Sequence, residues 1–148
     1  MKHGLIPART VFFVDDNHSD RKIFEFAIRE LAPESRVRSF AHSDILDVLD
    51  ADLITAPGTP FLIFIDINLI PGEGTVLIRN IREIHDGQHL HIIAMSGQSD
   101  PEVWRRSYES GANLFWEKPM NLDQMMSELS GILRLGDRFP VLKDWVNA

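Results

Sequence analysis

The sequence predicts an α/β fold, a doubly wound sandwich of one five-stranded parallel sheet and five helices. Two observations predict it. Short apolar segments alternate with longer stretches of helical periodicity from residue 10 to about residue 134, the signature of consecutive βα units joined by right-handed crossovers. Two of those segments, TVFFV and FLIFI, are hydrophobic without interruption, as strands covered on both faces are.

The elements follow in order. Strands are expected at Thr10–Val14, Val37–Phe40, Phe61–Ile65, His91–Met95 and Asn113–Trp116. The first helix runs from about Ser19, a suitable N-cap, to Leu31, with Ile23, Ala27, Ile28 and Leu31 at helical spacing before Pro33 ends it. A second follows Ser43, carries Ile45, Leu49 and Leu53 on one side, and stops at the breaker-rich TAPGTP of 55–60. A third starts near Gly74 with Leu77, Ile78, Ile81 and Ile84. The fourth opens on Ser99-Asp100-Pro101-Glu102, a capping box with proline in the first turn. The fifth opens on Asn121 and carries Leu122, Met125, Met126, Leu129 and Leu133.

With 148 residues the chain has room for one domain with a core. We read residues 1–134 as that domain and 135–148 as an apolar C-terminal extension, since LGDRFPVLKDWVNA does not continue the alternation. Such an extension would pack on its own domain, on a second copy or on a partner. The net charge of −7, with no basic cluster, argues against direct nucleic-acid binding. The absence of cysteine excludes disulfides, thiolate catalysis and cysteine-based zinc sites. No apolar run approaches the roughly twenty residues of a membrane span, and MKHGLIPART has no leader-like core. A cytoplasmic protein is expected.

In an open α/β sheet, functional groups gather at the carboxyl ends of the strands. Here those ends are Asp15-Asp16, Asp66, Ser96 and Glu117-Lys118-Pro119. Three carboxylates brought together raise one another's pKa unless a cation neutralises them. Hard oxygen ligands with room for water suit Mg²⁺. A carboxylate such as Asp66 can then act as a nucleophile toward phosphorus, with the metal, the Lys118 ammonium and the Ser96 hydroxyl meeting the charge on the phosphoryl oxygens.

These residues resemble the receiver domains of two-component response regulators over residues 10 to 134. The matching segments are FFVDDN at 12–17, FIDINL at 64–69, Gly74, MSG at 95–97 and GANLFWEKP at 111–119. The resemblance implies a flavodoxin-like sheet of order 2-1-3-4-5 and a role for each matched position. Asp66 would be the phosphoacceptor. Asp16 would bind Mg²⁺ directly, Asp15 largely through water, and Asn68 through its backbone carbonyl. Ser96 would bond the phosphoryl group and Lys118 one of its oxygens, with a cis peptide between Lys118 and Pro119. Phe115 would be the aromatic rotamer switch. Two positions depart from the family pattern: Pro71 falls one residue late, with Ile70 in the usual place, and Phe115 replaces a frequent tyrosine, so no switch hydroxyl is available. Asn68 and Gln98 occupy positions that tune hydrolysis in the family.

The implied function is phosphorylation-dependent signalling without turnover of a free substrate. A sensor histidine kinase or phosphotransfer protein would be the donor. A homodimer is expected through the face of helix four, strand five and helix five, or through the tail. Trp104, Tyr108 and Trp116 predict a partly exposed aromatic patch there, with Phe115 and Trp116 on opposite faces of the strand. His89 and His91 read as solvated. Other readings are a receiver fragment of a larger regulator with an output domain, an aspartate-nucleophile phosphatase, a flavin module and a purely structural domain. The phosphatase would need a second aspartate two residues after the first, and the flavin module a Ser/Thr/Gly-rich cradle where Asp15-Asp16-Asn17 stands.

Overall fold

The computed structural model describes residues 6, 8–41, 45–46, 61–68, 73–84, 90–97 and 100–135. All five expected strands form: β1 (Thr10–Val14), β2 (Arg36–Phe40), β3 (Phe61–Asp66), β4 (Leu90–Ser96) and β5 (Leu114–Glu117). They alternate with α1 (His18–Leu31), α2 (Glu73–Ile84), α3 (Pro101–Ser110) and α4 (Leu122–Arg134). The helix expected after Ser43, the loop around Ile70 and Pro71, Gln98, His89 and the tail from 136 lie outside the described residues, apart from the helical pair 45–46. Thus α2, α3 and α4 are the third, fourth and fifth helices of the sequence reading.

The sheet is parallel throughout in the order β2-β1-β3-β4-β5. β1, β3 and β4 are buried at every position, which is why their sequences run apolar instead of alternating. β2 alternates exposure as an edge strand does. The chain order reverses between β1 and β3, so Val14 and Ile65 are register partners and the residues after them emerge side by side. That switch point places the acidic residues together.

Each face of the sheet carries its own core. Phe12, Phe61, Ile63 and Ile65 pack with Ile78, Ile81 and Val103 under α2 and α3. Phe13, Leu62, Phe64 and Met95 pack with Phe24, Ile28, Leu129 and Leu133 under α1 and α4. Phe24 stacks on Phe13 with ring centroids 4.0 Å apart and meets Phe64 at 4.8 Å. Burying each such ring stabilises the fold by about 1.5–3 kcal/mol.

Three local expectations are corrected. The N-cap of α1 is Asn17, not Ser19, because its Oδ1 accepts the Asp20 N–H at 2.9 Å. The N-cap of α3 is Asp100, whose Oδ1 accepts the Val103 N–H at 3.0 Å with Pro101 in the first turn; Ser99 lies outside the described residues. His91 is buried, not solvated, because β4 lies inside the sheet, paired with β3 on one side and β5 on the other. At the other end of α3, Gly111 takes φ 121°, a conformation that favours glycine, and lets Ala112 donate back to Ser107 O at 3.1 Å.

Candidate functional site

The site is built at the ends of four adjacent strands, β1, β3, β4 and β5, and the start of α1. Asp15 follows β1, is fully buried, and is fixed at both ends of its peptide: its N–H donates to Phe40 O at 3.0 Å, and Arg21 Nη1 donates to its carbonyl at 2.8 Å. Asp66 ends β3 and is 5% exposed. The two carboxylates are held alike, each bending back to accept the N–H two residues on: Asn17 to Asp15 Oδ1 at 2.9 Å, and Asn68 to Asp66 Oδ1 at 2.8 Å. Such turns fix the carboxylates without long side-chain reach. Asp16 is exposed beside them, and oxygens of Asp15, Asp16 and Asp66 all lie within 4.8 Å of one another.

Lys118, just past β5, supplies the counter-charge. Its Nζ donates to Asp66 Oδ2 at 2.8 Å, Asp15 Oδ2 at 2.9 Å and Asp20 Oδ2 at 3.3 Å. Its backbone N–H donates to Ser96 O at 2.8 Å, which ties the lysine to the end of β4. Burial alone would pull the ammonium pKa down, but the hydrogen bonds and charges of Asp66 and Asp15 outweigh it, and the pKa is raised. Burial pushes the Asp15 carboxyl up, against the Asn17 N–H and Lys118, which pull it down. Repulsion from Asp66, which the sequence predicts, adds to burial in raising the Asp15 carboxyl but contributes less than burial does.

Ser96 is fully buried at the end of β4, and its Oγ accepts from Asn68 Nδ2 at 2.8 Å. Asn68 thus joins the site through its side chain as well as its backbone. The Lys118–Pro119 peptide is trans, the ground state of an X–Pro bond, not the cis form that the resemblance implies.

Phe115 and Trp116 do point to opposite faces of β5. Phe115 is half-buried against the α2–α3 core. Trp116 is 7% exposed among the α1–α4 residues, and its Nε1 donates to Glu128 Oε1 at 2.8 Å. The expected patch therefore loses Trp116, because α4 covers that side of the strand and Glu128 supplies the partner an indole needs when buried. Trp104 remains 41% exposed, with its ring 6.4 Å from Phe115. The neighbouring helix reaches the backbone of this position: Tyr108 Oη accepts the Phe115 N–H at 3.2 Å.

Beyond Lys118, an open groove of about 430 Å³ runs between α1 and the start of α4. Ile23, Phe26, Met120 and Leu122 line it and are exposed. Sequence reasoning missed Asp20, since nothing in the local pattern distinguishes it from any acidic residue in a helix's first turn. It also missed the contact of the Tyr108 hydroxyl with Phe115, having read that residue only as part of an exposed aromatic patch.

The fold and the carboxylate cluster at its switch point define a response regulator receiver domain. Residues 11–130 match the model of that family, and the chain belongs to it. The chain is 26% identical over 125 residues to the cyclic di-GMP phosphodiesterase response regulator RpfG of Xanthomonas campestris pv. campestris, covering 84% of this chain and 32% of RpfG. It therefore spans about a third of that relative's length. It is 24% identical over 120 residues to the two-component response regulator ARR17 of Arabidopsis thaliana, covering 78% of each. The phosphorylated cyanobacterial phytochrome response regulator RcpA superposes with a TM-score of 0.71 at 19% identity, covering 88% of this chain and 94% of RcpA. Among the described residues no helix is long and apolar enough to cross a membrane.

Proposed function

We propose that this chain is a phosphoacceptor receiver whose Asp66 takes a phosphoryl group from a sensor histidine kinase or phosphotransfer protein. The observation that carries the reading is the Lys118 ammonium, within 2.9 Å of both Asp66 and Asp15 at the open end of a three-carboxylate cluster. No core-packing role calls for three acids around one lysine at the end of a sheet. Family membership and the likeness to RcpA support the same reading.

The donor set fits a hard divalent cation. Asp15, Asp16, Asp66 and the Asn68 carbonyl offer only oxygens, and exposed Asp16 leaves room for water. These residues would hold Mg²⁺, which supplies charge neutralisation for the phosphoryl oxygens. An Asp66 carboxylate oxygen forms the new P–O bond while the donor's P–N bond breaks, and the electron pair leaves with the imidazole nitrogen. Lys118 then bonds a phosphoryl oxygen in place of the Asp66 oxygen it now holds. Ser96 exchanges the Asn68 amide for the phosphoryl group. That exchange and Phe115 bias the domain toward its signalling state, read out by a partner or a second copy on the face of α3, β5 and α4. Residues 1–134 form the signalling unit and 135–148 an extension of it. Activity on a free substrate is not its task, and whether an output domain accompanies it sets only where the signal goes.

The test is incubation of the full chain with Mg²⁺ and acetyl phosphate, read by intact mass. One added phosphoryl group is expected, absent from Asp66→Asn. Labelling that persists in that variant refutes the assignment.

A further inference from the structure

Asp20 is the one carboxylate on Lys118 that the function above does not use. It stands in the first turn of α1, with its N–H on the Asn17 cap. Its Oδ2 lies 3.3 Å from Lys118 Nζ, and 42% of its side chain is exposed where Asp15 has none. An ammonium has three N–H donors, and here each faces a different aspartate. Asp15 and Asp66 hold Lys118 from inside the fold; Asp20 holds it from the solvent side. It lines both the cleft that holds Lys118 and the groove beyond it.

We propose that Asp20 is a specificity-determining residue for the phosphodonor, which disfavours small free phosphate anhydrides; the proposal rests on the phosphoacceptor reading above. It acts through its charge, which repels an incoming dianion at the mouth of a site that already holds more carboxylates than cations. A protein donor offsets the same repulsion with contacts made outside the site. Acetyl phosphate has no such contacts. Specificity here comes from a repulsive element, not an added attraction.

With acetyl phosphate, the P–O bond to the acyl oxygen breaks as the P–O bond to Asp66 forms, and acetate leaves with the electron pair, so no proton transfer is required. Repulsion between one carboxylate and a dianion several ångström away in near-aqueous dielectric corresponds to about a three- to tenfold change in rate. It should fall away as salt shortens the screening length.

The experiment measures labelling rates of the full chain with acetyl phosphate at saturating Mg²⁺, at low and at high ionic strength. Asp20→Asn and, as a second neutral variant that can still cap a first turn, Asp20→Ser should label about three- to tenfold faster than wild type at low salt, and within about twofold of it at high salt. Glu30→Gln, the same charge change on an exposed residue in the last turns of α1, should match wild type at both. Asp20 variants that label no faster than wild type at low salt, or whose advantage is independent of salt, overturn the proposal while leaving Asp66 as acceptor. Failure of wild type and variants alike to label overturns the acceptor reading and this one with it.

Discussion

Gly74→Ala puts intrinsic preference and tertiary packing in direct opposition. Gly74 lies in the first turn of α2, where alanine is the better helix former by up to about 1 kcal/mol. A Cβ at that position would sit 2.2 Å from Ile67 Cα and 2.7 Å from its carbonyl carbon and oxygen. Carbon atoms make ordinary contacts at about 3.5–4.0 Å, so either the start of α2 or the end of β3 must retreat by more than about 1 Å. The obstacle is backbone and cannot rotate away. Overpacking of this kind costs about 1–3 kcal/mol, which outweighs the propensity gain. Ile67 lies between Asp66 and Asn68, and its N–H donates to Met95 O at 2.9 Å, so the displacement reaches the acidic cluster. The variant should therefore lose about 1–2 kcal/mol, a fall of roughly 1 M in urea midpoint at unchanged slope, and should gain less stability from added Mg²⁺ than wild type does. Urea unfolding followed by circular dichroism, with and without Mg²⁺, measures both. A midpoint equal to or above that of wild type refutes the close-approach argument.

Other perturbations probe separate parts of the molecule. Lys118→Met removes the partner of buried Asp15 and nearly buried Asp66; leaving charges buried and unpaired should cost about 2–4 kcal/mol in chelator, and thermal unfolding should show the deficit narrowing as Mg²⁺ is added. An unchanged melting temperature in chelator would count against the pairing. Burial raises the Tyr108 pKa above its ordinary 10.0, against the pull of the Phe115 N–H. A raised folded value means stability that is complete below about pH 10 and lost as pH climbs through the folded pKa. Tyr108→Phe should flatten that alkaline slope and cost about 1 kcal/mol at neutral pH for the stranded N–H; because Tyr108 is the single tyrosine of the chain, tyrosinate absorbance titrates it directly. Trp116→Phe forfeits the bond to Glu128 and part of the ring's burial, for about 1–2 kcal/mol by thermal melt; a neutral effect would place the indole outside the core. Asn68→Ala should leave the fold intact but remove the amide bond to Ser96 Oγ, changing the lifetime of phosphorylated Asp66 more than its rate of formation, as labelling and decay measured separately would show.

What the sequence made legible was whatever the local pattern dictates. TVFFV and FLIFI had to be central strands, and Asp15, Asp66, Ser96 and Lys118 had to fall at strand ends once the strands were placed. Cap identity was less legible, because Asn17 and Ser19 are both competent caps and only backbone geometry chooses between them. Trp116 was misplaced on the surface because alternation along β5 gives opposite faces but not which face a helix covers; Leu129 and Leu133 of α4 decide that. The contacts of Asp20 and of the Tyr108 hydroxyl were invisible for another reason. Their partners, Lys118 and Phe115, lie on a strand or loop that only tertiary packing brings near. In the same way, the carboxylate repulsion inferred from the sequence was real in kind but second to burial at Asp15, and the depth of a side chain cannot be read from spacing.

The sequence separations within the site have a consequence for how the molecule is made. Lys118 lies 103 residues after Asp15, 98 after Asp20 and 52 after Asp66. During vectorial synthesis the acids therefore emerge first, on strands that can already pair side by side, and wait for a cation carried by the last strand. A nascent chain that has collapsed around β1 and β3 must hold buried Asp15 protonated, hydrated or bound to a free divalent ion until β5 docks. Completion of the sheet is thus registered electrostatically: the ammonium arrives only when the final strand takes its place, and a chain released before residue 118 carries the acidic cluster without its lysine.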